Sequence, residues 1–151
     1  MALNKGDKAP DFSLQTTGGH FNLSRDFENR PCIIYFYPKD FTSVCTKEAC
    51  SFRDEFSVFK ELKIDILGIS RDDVETHKKF KQQYELPFEL GADMDGKVAK
   101  AYKALVPFVG MTKRITYLLN AQHKVEAVYS GLFEAEQHVE EMLSKIKSMG
   151  K

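Results

Sequence analysis

Six consecutive apolar or aromatic residues, Cys32 to Tyr37, lie between the prolines at positions 31 and 38. A continuous apolar run of this length, without alternation, predicts a strand that is buried on both faces. Proline cannot donate to a neighbouring strand, so the strand should end before Pro38. A strand with two buried faces requires a covering layer on each side, and the chain should therefore place helices around a central sheet.

The rest of the chain supplies those helices and further strands. Alternating residues on either side of Thr17–Gly19 predict a β-hairpin near the N-terminus. Helices are predicted over about 43–62, 74–84 and 96–103, and strands over 64–70, 88–90, 114–119 and 125–129. A last helix should bury one face, formed by Ala135, Val139, Met142, Leu143 and Ile146. This order predicts one α/β domain over residues 1–151, with a central mixed β-sheet flanked by helices.

Charge and hydropathy exclude several kinds of partner. Lys plus Arg and Asp plus Glu number 22 each, so no broad positive field attracts nucleic acid or an anionic membrane. The longest apolar run is the 32–37 strand, which is too short to cross a bilayer. The first residues lack the apolar stretch of a signal peptide, so we expect a cytoplasmic protein. Thiols are kept reduced there, and the three cysteines do not predict a disulfide framework.

Cys45 lies in the first turn of the helix predicted over 43–62, directly after the polar loop that follows the central strand. Unpaired backbone N–H groups and the helix dipole stabilise an anion at that place, which favours the nucleophilic thiolate. A free cysteine is often only a small buried apolar residue, but a helix start behind a polar loop is a poor place for one. We therefore predict that Cys45 is a redox-active nucleophile.

Cys50 follows five residues later on the same predicted helix. Residues with that spacing lie about 8.7 Å apart between Cα atoms in an ideal helix. A disulfide requires a separation below about 7 Å, so the two cysteines can pair only if the first helical turns unwind. The spacing also differs from the C-x-x-C motif of thioredoxin-type disulfide exchangers. It favours a nucleophile that first reacts with another molecule and is then captured by a second thiol.

Four ordered segments carry a resemblance to a known family. They are Lys5–Phe12, the pattern Pro38-x-x-x-Thr42-x-x-Cys45, the adjoining Thr46–Cys50, and Arg114–Leu119. The second segment matches the active-site signature of the peroxiredoxins, and the third resembles their bacterioferritin comigratory protein or PrxQ branch. The first resembles that family's opening, and the fourth its strand with the active-site arginine. The similarity covers essentially the whole chain and implies a thioredoxin-like fold.

The resemblance also implies a function, a thiol-dependent peroxidase that reduces hydrogen peroxide or organic hydroperoxides. Cys45 would be the peroxidatic nucleophile and become a sulfenic acid. Arg114 would hold the thiolate and polarise the peroxide, Thr42 would hydrogen-bond the peroxide, and Pro38 would shield the sulfenate from water. Cys50 matches the resolving cysteine, which would form an intramolecular disulfide for thioredoxin or a similar thiol reductant to reduce. The expected enzyme is a monomer without cofactor or metal.

Each of these side chains also has a simpler interpretation. Thr42 could serve only as a helix N-cap, Pro38 only as a strand terminator and Arg114 only as a surface charge. For Glu48 we prefer the simpler interpretation, a residue that favours the first helical turn. Cys32 lies in the buried strand and should be a packed, unreactive thiol.

Two other functions compete with a peroxidase. A structural zinc site on Cys45, Cys50 and a histidine needs four ligands, and the histidines at 20, 77, 123 and 138 fall in scattered elements. A thioredoxin-like disulfide reductase would need the C-x-x-C motif that the chain lacks.

One departure from the family concerns the loop, where Ser43-Val44 replaces the usual Pro-Gly. Valine cannot adopt the positive φ available to glycine, so we expect the loop to be held differently.

Overall fold

The computed structural model describes residues 2–106, 108, 110–130 and 141–146. The strands are β1 Ser13–Thr16, β2 Gly19–Asn22, β3 Cys32–Phe36, β4 Asp65–Ser70, β5 Glu89–Ala92, β6 Ile115–Leu119 and β7 Val125–Ser130. The helices are α1 Leu23–Asp26, α2 Ser43–Asp54, α3 Phe56–Glu61, α4 Val74–Gln83 and α5 Lys97–Ala101, and residues 141–146 are also helical. No helix within these described residues is long and apolar enough to span a membrane.

The strands form one mixed sheet in the order β2-β1-β5-β4-β3-β6-β7. Strands β3, β4 and β5 run parallel to one another, whereas β1, β2, β6 and β7 each pair with their neighbours in antiparallel fashion. The carboxyl ends of β3, β4 and β5 therefore meet at one edge of the sheet. Strand β6 begins at that edge, because Ile115 pairs with Phe36. The predicted α/β class, the mixed sheet and the N-terminal hairpin are confirmed.

Strand β3 has the two buried faces that its sequence predicted. Ile33 and Tyr35 pack into an apolar cluster with side chains of α2, whereas Ile34 and Phe36 pack into a second cluster on the opposite face. Burial of each such side chain contributes about 1.5–3 kcal/mol. Met142, Leu143 and Ile146 of the C-terminal helical residues are buried as predicted, and Ala135 and Val139 lie outside the described residues.

The helix predicted over 43–62 is wrong in one respect, because it is two helices. Glu55 separates α2 from α3 and has a ψ of 5°, which turns the chain between them. The turn lets Phe52 and Phe59 both reach the core, where their ring centroids lie 5.9 Å apart. The tilted ring of Phe56 instead lies beside Phe88, with ring centroids 6.5 Å apart. Tertiary packing of these rings overrides the continuous helical spacing of the sequence.

Candidate active site

The loop between β3 and α2 lies at the edge where the parallel strands end. Its positive φ, 66°, falls on Phe41, whereas Ser43 and Val44 already belong to α2. The loop is thus held without a glycine before the cysteine. Thr42 occupies the N-cap position, but its side chain makes no capping hydrogen bond and instead donates to the carbonyl oxygen of Lys39 at 2.7 Å. Thr42 is therefore the N-cap residue by position, as its simpler interpretation held, but its hydroxyl does not cap the helix.

Cys45 is the third residue of α2 and meets Arg114 across the sheet edge. Nη2 of Arg114 donates to the Cys45 sulfur at 2.9 Å. Both side chains are buried, with residue exposures of 2% for Cys45 and 5% for Arg114. The contact spans 69 positions because antiparallel pairing brings the start of β6 beside the end of β3. Arg114 is therefore a buried partner of the thiol and not a surface charge.

Glu48 belongs to the same cluster, and our preferred interpretation of it is wrong. Nη1 of Arg114 donates to Glu48 Oε1 at 2.6 Å, and Glu48 is only 1% exposed. The sequence contains the signal for this contact, because residues three apart on a helix share a face. Glu48 is three positions after Cys45, so one long side chain can contact both the Cys45 sulfur and the Glu48 carboxyl.

One guanidinium thus faces two groups that can each carry a negative charge. Burial raises the pKa of Glu48 to about 7, although the attraction of Arg114 opposes the change. Burial also disfavours the charge on Arg114, but Glu48 and Cys45 outweigh that effect and raise the pKa of Arg114. The guanidinium therefore remains protonated. When Glu48 takes up a proton, the positive charge of Arg114 faces the sulfur alone.

The other two cysteines differ from Cys45 in position. Cys50 is partly buried on the unbroken helix α2, and burial raises the pKa of its thiol. Cys32 packs on the opposite face of the sheet, where burial raises the pKa of its thiol strongly. All three thiols are free.

Pro38 and Thr42 lie in the loop that leads to Cys45, and Pro38 lines an open depression at the sheet edge. The other lining residues are Lys39, Arg71, Met94, Gly110, Met111 and Thr112. Cys45, Arg114 and Glu48 are joined by direct contacts, whereas Pro38 and Thr42 flank them through the loop. Cys50 lies further along the same helix.

A group with metal-ligand spacing lies under this loop and includes no cysteine. Within the described part of the chain, ligand atoms of Asp40, Asp72 and His77 lie within 4.8 Å of one another. These atoms are engaged by the protein itself, since His77 Nδ1 contacts Asp40 at 2.6 Å. The group therefore lends no support to the zinc site on Cys45 and Cys50 considered above; His138 lies outside the described residues.

Comparison with known proteins identifies the family. The profile of the AhpC/TSA family matches residues 5–128, and the chain belongs to this family. Peroxiredoxin Q of rice (Oryza sativa subsp. japonica), a chloroplastic protein, is 38% identical over 148 residues, which cover 97% of this chain and 68% of that protein. The crystal structure of peroxidoxin BcpB from Mycobacterium tuberculosis has a TM-score of 0.90 and 31% identity, with 97% of each chain covered. A cysteine mutant of PrxQ from Xylella fastidiosa has a TM-score of 0.88 and 26% identity, with coverage of 100% and 99%.

Fold and family together define a peroxiredoxin, which is a thiol-dependent peroxidase with a thioredoxin-like fold. The resemblance drawn from the four sequence segments is confirmed. Within the peroxiredoxins, the similarity to peroxiredoxin Q and to BcpB places the chain in the branch of peroxiredoxin Q and bcp.

Proposed function

We propose that Cys45 is the peroxidatic cysteine, on the strength of the 2.9 Å contact between its sulfur and Arg114 at the start of α2. The thiolate attacks one oxygen of a hydroperoxide, an S–O bond forms and the O–O bond breaks. The leaving oxygen takes up a proton as water or an alcohol, and Cys45 becomes a sulfenic acid. A buried cation and the N-terminal amides of a helix stabilise the negative charge throughout this displacement.

The flanking residues have supporting roles in this proposal. The N–H groups of Arg114 also reach the peroxide and polarise the bond that breaks. The Thr42 hydroxyl has its proton engaged with Lys39, which leaves its oxygen free to accept the hydroperoxide proton. Pro38 adds a surface without an N–H donor, which disfavours water near the sulfenate. Hydrogen peroxide and organic hydroperoxides are the proposed substrates.

Cys50 is the proposed resolving cysteine. Its thiolate attacks the Cys45 sulfur, a disulfide forms and the sulfenic oxygen leaves as water. Both residues lie on α2, where their spacing corresponds to about 8.7 Å between Cα atoms. This separation exceeds the limit of about 7 Å for a disulfide, so the first turns of α2 must unwind before the bond forms. A thioredoxin-like dithiol then reduces the disulfide.

Three further features complete the proposal. Resolution within one chain needs no second subunit, which supports a monomer. A catalytic thiol must return to its reduced form in each cycle, which supports a reducing compartment such as the cytoplasm. The family match over residues 5–128 supports a single peroxiredoxin domain for the whole chain.

A redox mass spectrum of the reduced protein after one equivalent of hydrogen peroxide tests the assignment of both cysteines. Wild-type protein should lose two hydrogens, and peptide mapping should find a Cys45–Cys50 bond. The variant Cys50→Ser should accumulate a sulfenic acid at Cys45 that a dimedone-type probe captures, and Cys45→Ser should form neither product. Addition of thioredoxin should restore the reduced mass of the wild type.

Two results would contradict this assignment. Peroxide turnover that persists in Cys45→Ser would exclude Cys45 as the nucleophile. Wild-type protein without a Cys45–Cys50 bond would exclude Cys50 as the resolving residue.

A further inference from the structure

A buried hydrogen-bond network that the proposed chemistry does not use lies beneath the loop carrying Thr42. Its centre is Asp40, a buried residue of the loop between β3 and α2. The Tyr37 hydroxyl donates to Asp40 Oδ1 at 2.5 Å, and His77 Nδ1 of helix α4 meets Asp40 Oδ2 at 2.6 Å. His77 is completely buried, and its other ring nitrogen contacts the Gly91 carbonyl oxygen of β5 at 2.9 Å. We call Tyr37, Asp40 and His77 the loop anchor.

Proton accounting shows that the loop anchor is fully engaged. The Gly91 carbonyl can only accept, so Nε2 of His77 carries a proton and donates it. One further proton then lies between His77 Nδ1 and Asp40. Burial, reinforced by Asp40, raises the pKa of Tyr37 well above its ordinary value, so the phenol keeps its proton and donates. Buried bonds that share or carry charge are among the stronger hydrogen bonds in proteins.

The main chain of Asp40 is held as well. Its N–H group donates to Asp72 Oδ2 at 2.8 Å, and the same carboxylate oxygen accepts from the Ser70 hydroxyl at 2.6 Å. A single loop residue is thus attached through both side chain and backbone to the ends of β4 and α4.

The position of the loop anchor relates it to the motion of Cys45. Asp40 is five residues before Cys45, and the carbonyl of Thr42 accepts the first helical hydrogen bond of α2, from Thr46 at 2.9 Å. Because Asp40 is fixed, the start of α2 stays in place. When the first turns of α2 unwind, they therefore gain less conformational freedom than they would if the preceding loop were free to move. Loss of the anchor should therefore favour the unwound state.

We propose that Asp40 and His77 are positioning residues that hold the first turns of α2 in the helical form and so set the balance between the two fates of the Cys45 sulfenic acid. In the helical form, a second hydroperoxide oxidises the sulfenic acid to a sulfinic acid and is itself reduced to water or an alcohol. In the unwound form, Cys50 captures the sulfenic acid as a disulfide. This inference rests on the proposed roles of Cys45 and Cys50.

Two substitutions at His77 separate the contact with Asp40 from the contact with Gly91. In His77→Gln, the longer amide can take the place of Nε2 and keep the bond to Gly91, while the contact with Asp40 is lost. In the matched control His77→Asn, the shorter amide can take the place of Nδ1 and donate to Asp40. The first measurement is hydrogen exchange of the amides of residues 43–49 in the reduced protein. The second is the ratio of sulfinic acid to disulfide under excess hydrogen peroxide.

We expect exchange over 43–49 to be about tenfold faster in His77→Gln than in the wild type, as loss of a charge-assisted hydrogen bond implies. The fraction of sulfinic acid should fall several-fold, so the variant should survive excess peroxide better than the wild type. His77→Asn should resemble the wild type in both measurements. Because His77→Asn also loses a bond, the one to Gly91, it controls for a general loss of stability.

Tyr37→Phe is the second variant and tests the role of the loop anchor if His77→Gln does not fold. It removes one bond to Asp40 and should shift both measurements in the same direction by a smaller factor. Unchanged exchange and an unchanged sulfinic fraction in the folded variants would overturn the inference. A wild type without the Cys45–Cys50 bond would overturn the proposed resolving step instead, and the exchange of residues 43–49 would then still decide whether the anchor holds the helix start.

Discussion

Cys32 and Cys45 lie at opposite ends of the β3 region and are almost equally buried, with exposures of 0% and 2%. Cys32 begins the strand and packs among apolar side chains, where burial raises the pKa of its thiol. Cys45 follows the strand and its loop, and its sulfur accepts from Arg114 at 2.9 Å. Two thiols that are almost equally buried therefore have different neighbours, apolar side chains at Cys32 and a guanidinium at Cys45.

The low dielectric of the protein interior can either disfavour or favour the charge on a thiolate. It disfavours a thiolate at Cys32, because burial and the negative charge of Asp65 outweigh the attraction of Arg30. At Cys45 the same environment strengthens the attraction between sulfur and guanidinium, since water does not screen them. In the proposed function, the neighbouring charge and the position at the start of a helix distinguish the reactive Cys45 from the unreactive Cys32.

The largest effect on peroxide reduction should appear when Cys45 and Cys32 are each replaced in turn by serine. Cys45→Ser should lower the second-order rate constant for hydrogen peroxide by at least about a thousandfold, as loss of a nucleophile typically does. Cys32→Ser should leave that rate constant unchanged, because Cys32 lies on the other face of the sheet. Stopped-flow measurement of peroxide consumption checks both variants. A large loss of the rate constant in Cys32→Ser would contradict the distinction between a reactive Cys45 and an unreactive Cys32.

Without the Arg114 cation, Cys45 should become a buried and poorly reactive thiol, as is expected of Cys32. Arg114→Ala should lower the peroxide rate constant by about 10²–10³-fold, the usual effect of losing a donor to developing charge. It also leaves Glu48 buried without its partner, which costs about 3–5 kcal/mol of the free energy of unfolding. Denaturant titration and stopped-flow kinetics measure the two effects.

Arg114→Lys serves as the matched control for charge. Lysine keeps the positive charge but lacks the forked set of donors that reaches both Cys45 and Glu48. The loss of peroxide rate constant and the loss of stability should therefore both be intermediate. A wild-type rate in Arg114→Ala would show that the cation does not activate the thiol.

The smallest effect is expected on the free energy of unfolding and concerns Glu48, whose carboxyl contacts the Arg114 guanidinium beside the Cys45 sulfur. Burial raises its pKa from the ordinary 4.5 to about 7, so its proton stabilises the folded state fully below pH 4.5. That contribution is lost as the pH rises towards 7. Glu48→Gln has no such loss, so the free energy of unfolding of the variant, relative to wild type, should increase over this pH range. The increase is at most about 1.4 kcal/mol per pH unit.

Denaturant titrations of both proteins between pH 4.5 and 7 measure this difference. Parallel stability curves would mean that Glu48 keeps an ordinary pKa in the folded protein.

The sequence predicted most of the fold because its strong signals are local. The run from Cys32 and the hairpin turn at Thr17–Gly19 each depend on neighbouring residues, and both elements were found where expected. The break at Glu55 was not predicted, because it depends on the contact of Phe52 with Phe59 and on the position of Phe88, which only the assembled core defines.

The candidate site was predictable to the extent that it follows one helix or one motif. Cys45 was expected in the first turn of a helix and lies there. The interaction of Arg114 with Glu48 joins residues 66 positions apart, so no local pattern reports it, although helical spacing placed Glu48 beside Cys45. The sequence shows His77 only as an isolated histidine, because its contact with Asp40 depends on how α4 packs against the loop between β3 and α2.

The interruption at Glu55 has a consequence for the working life of the proposed catalyst. Helix α3 begins anew at Phe56 and is held by the buried Phe59, so it does not depend on the hydrogen bonds of α2. Separation into cooperative units lets one segment open while its neighbour remains folded. Each oxidation of Cys45 by peroxide can therefore disturb a single short segment and leave the adjoining hydrophobic surface covered.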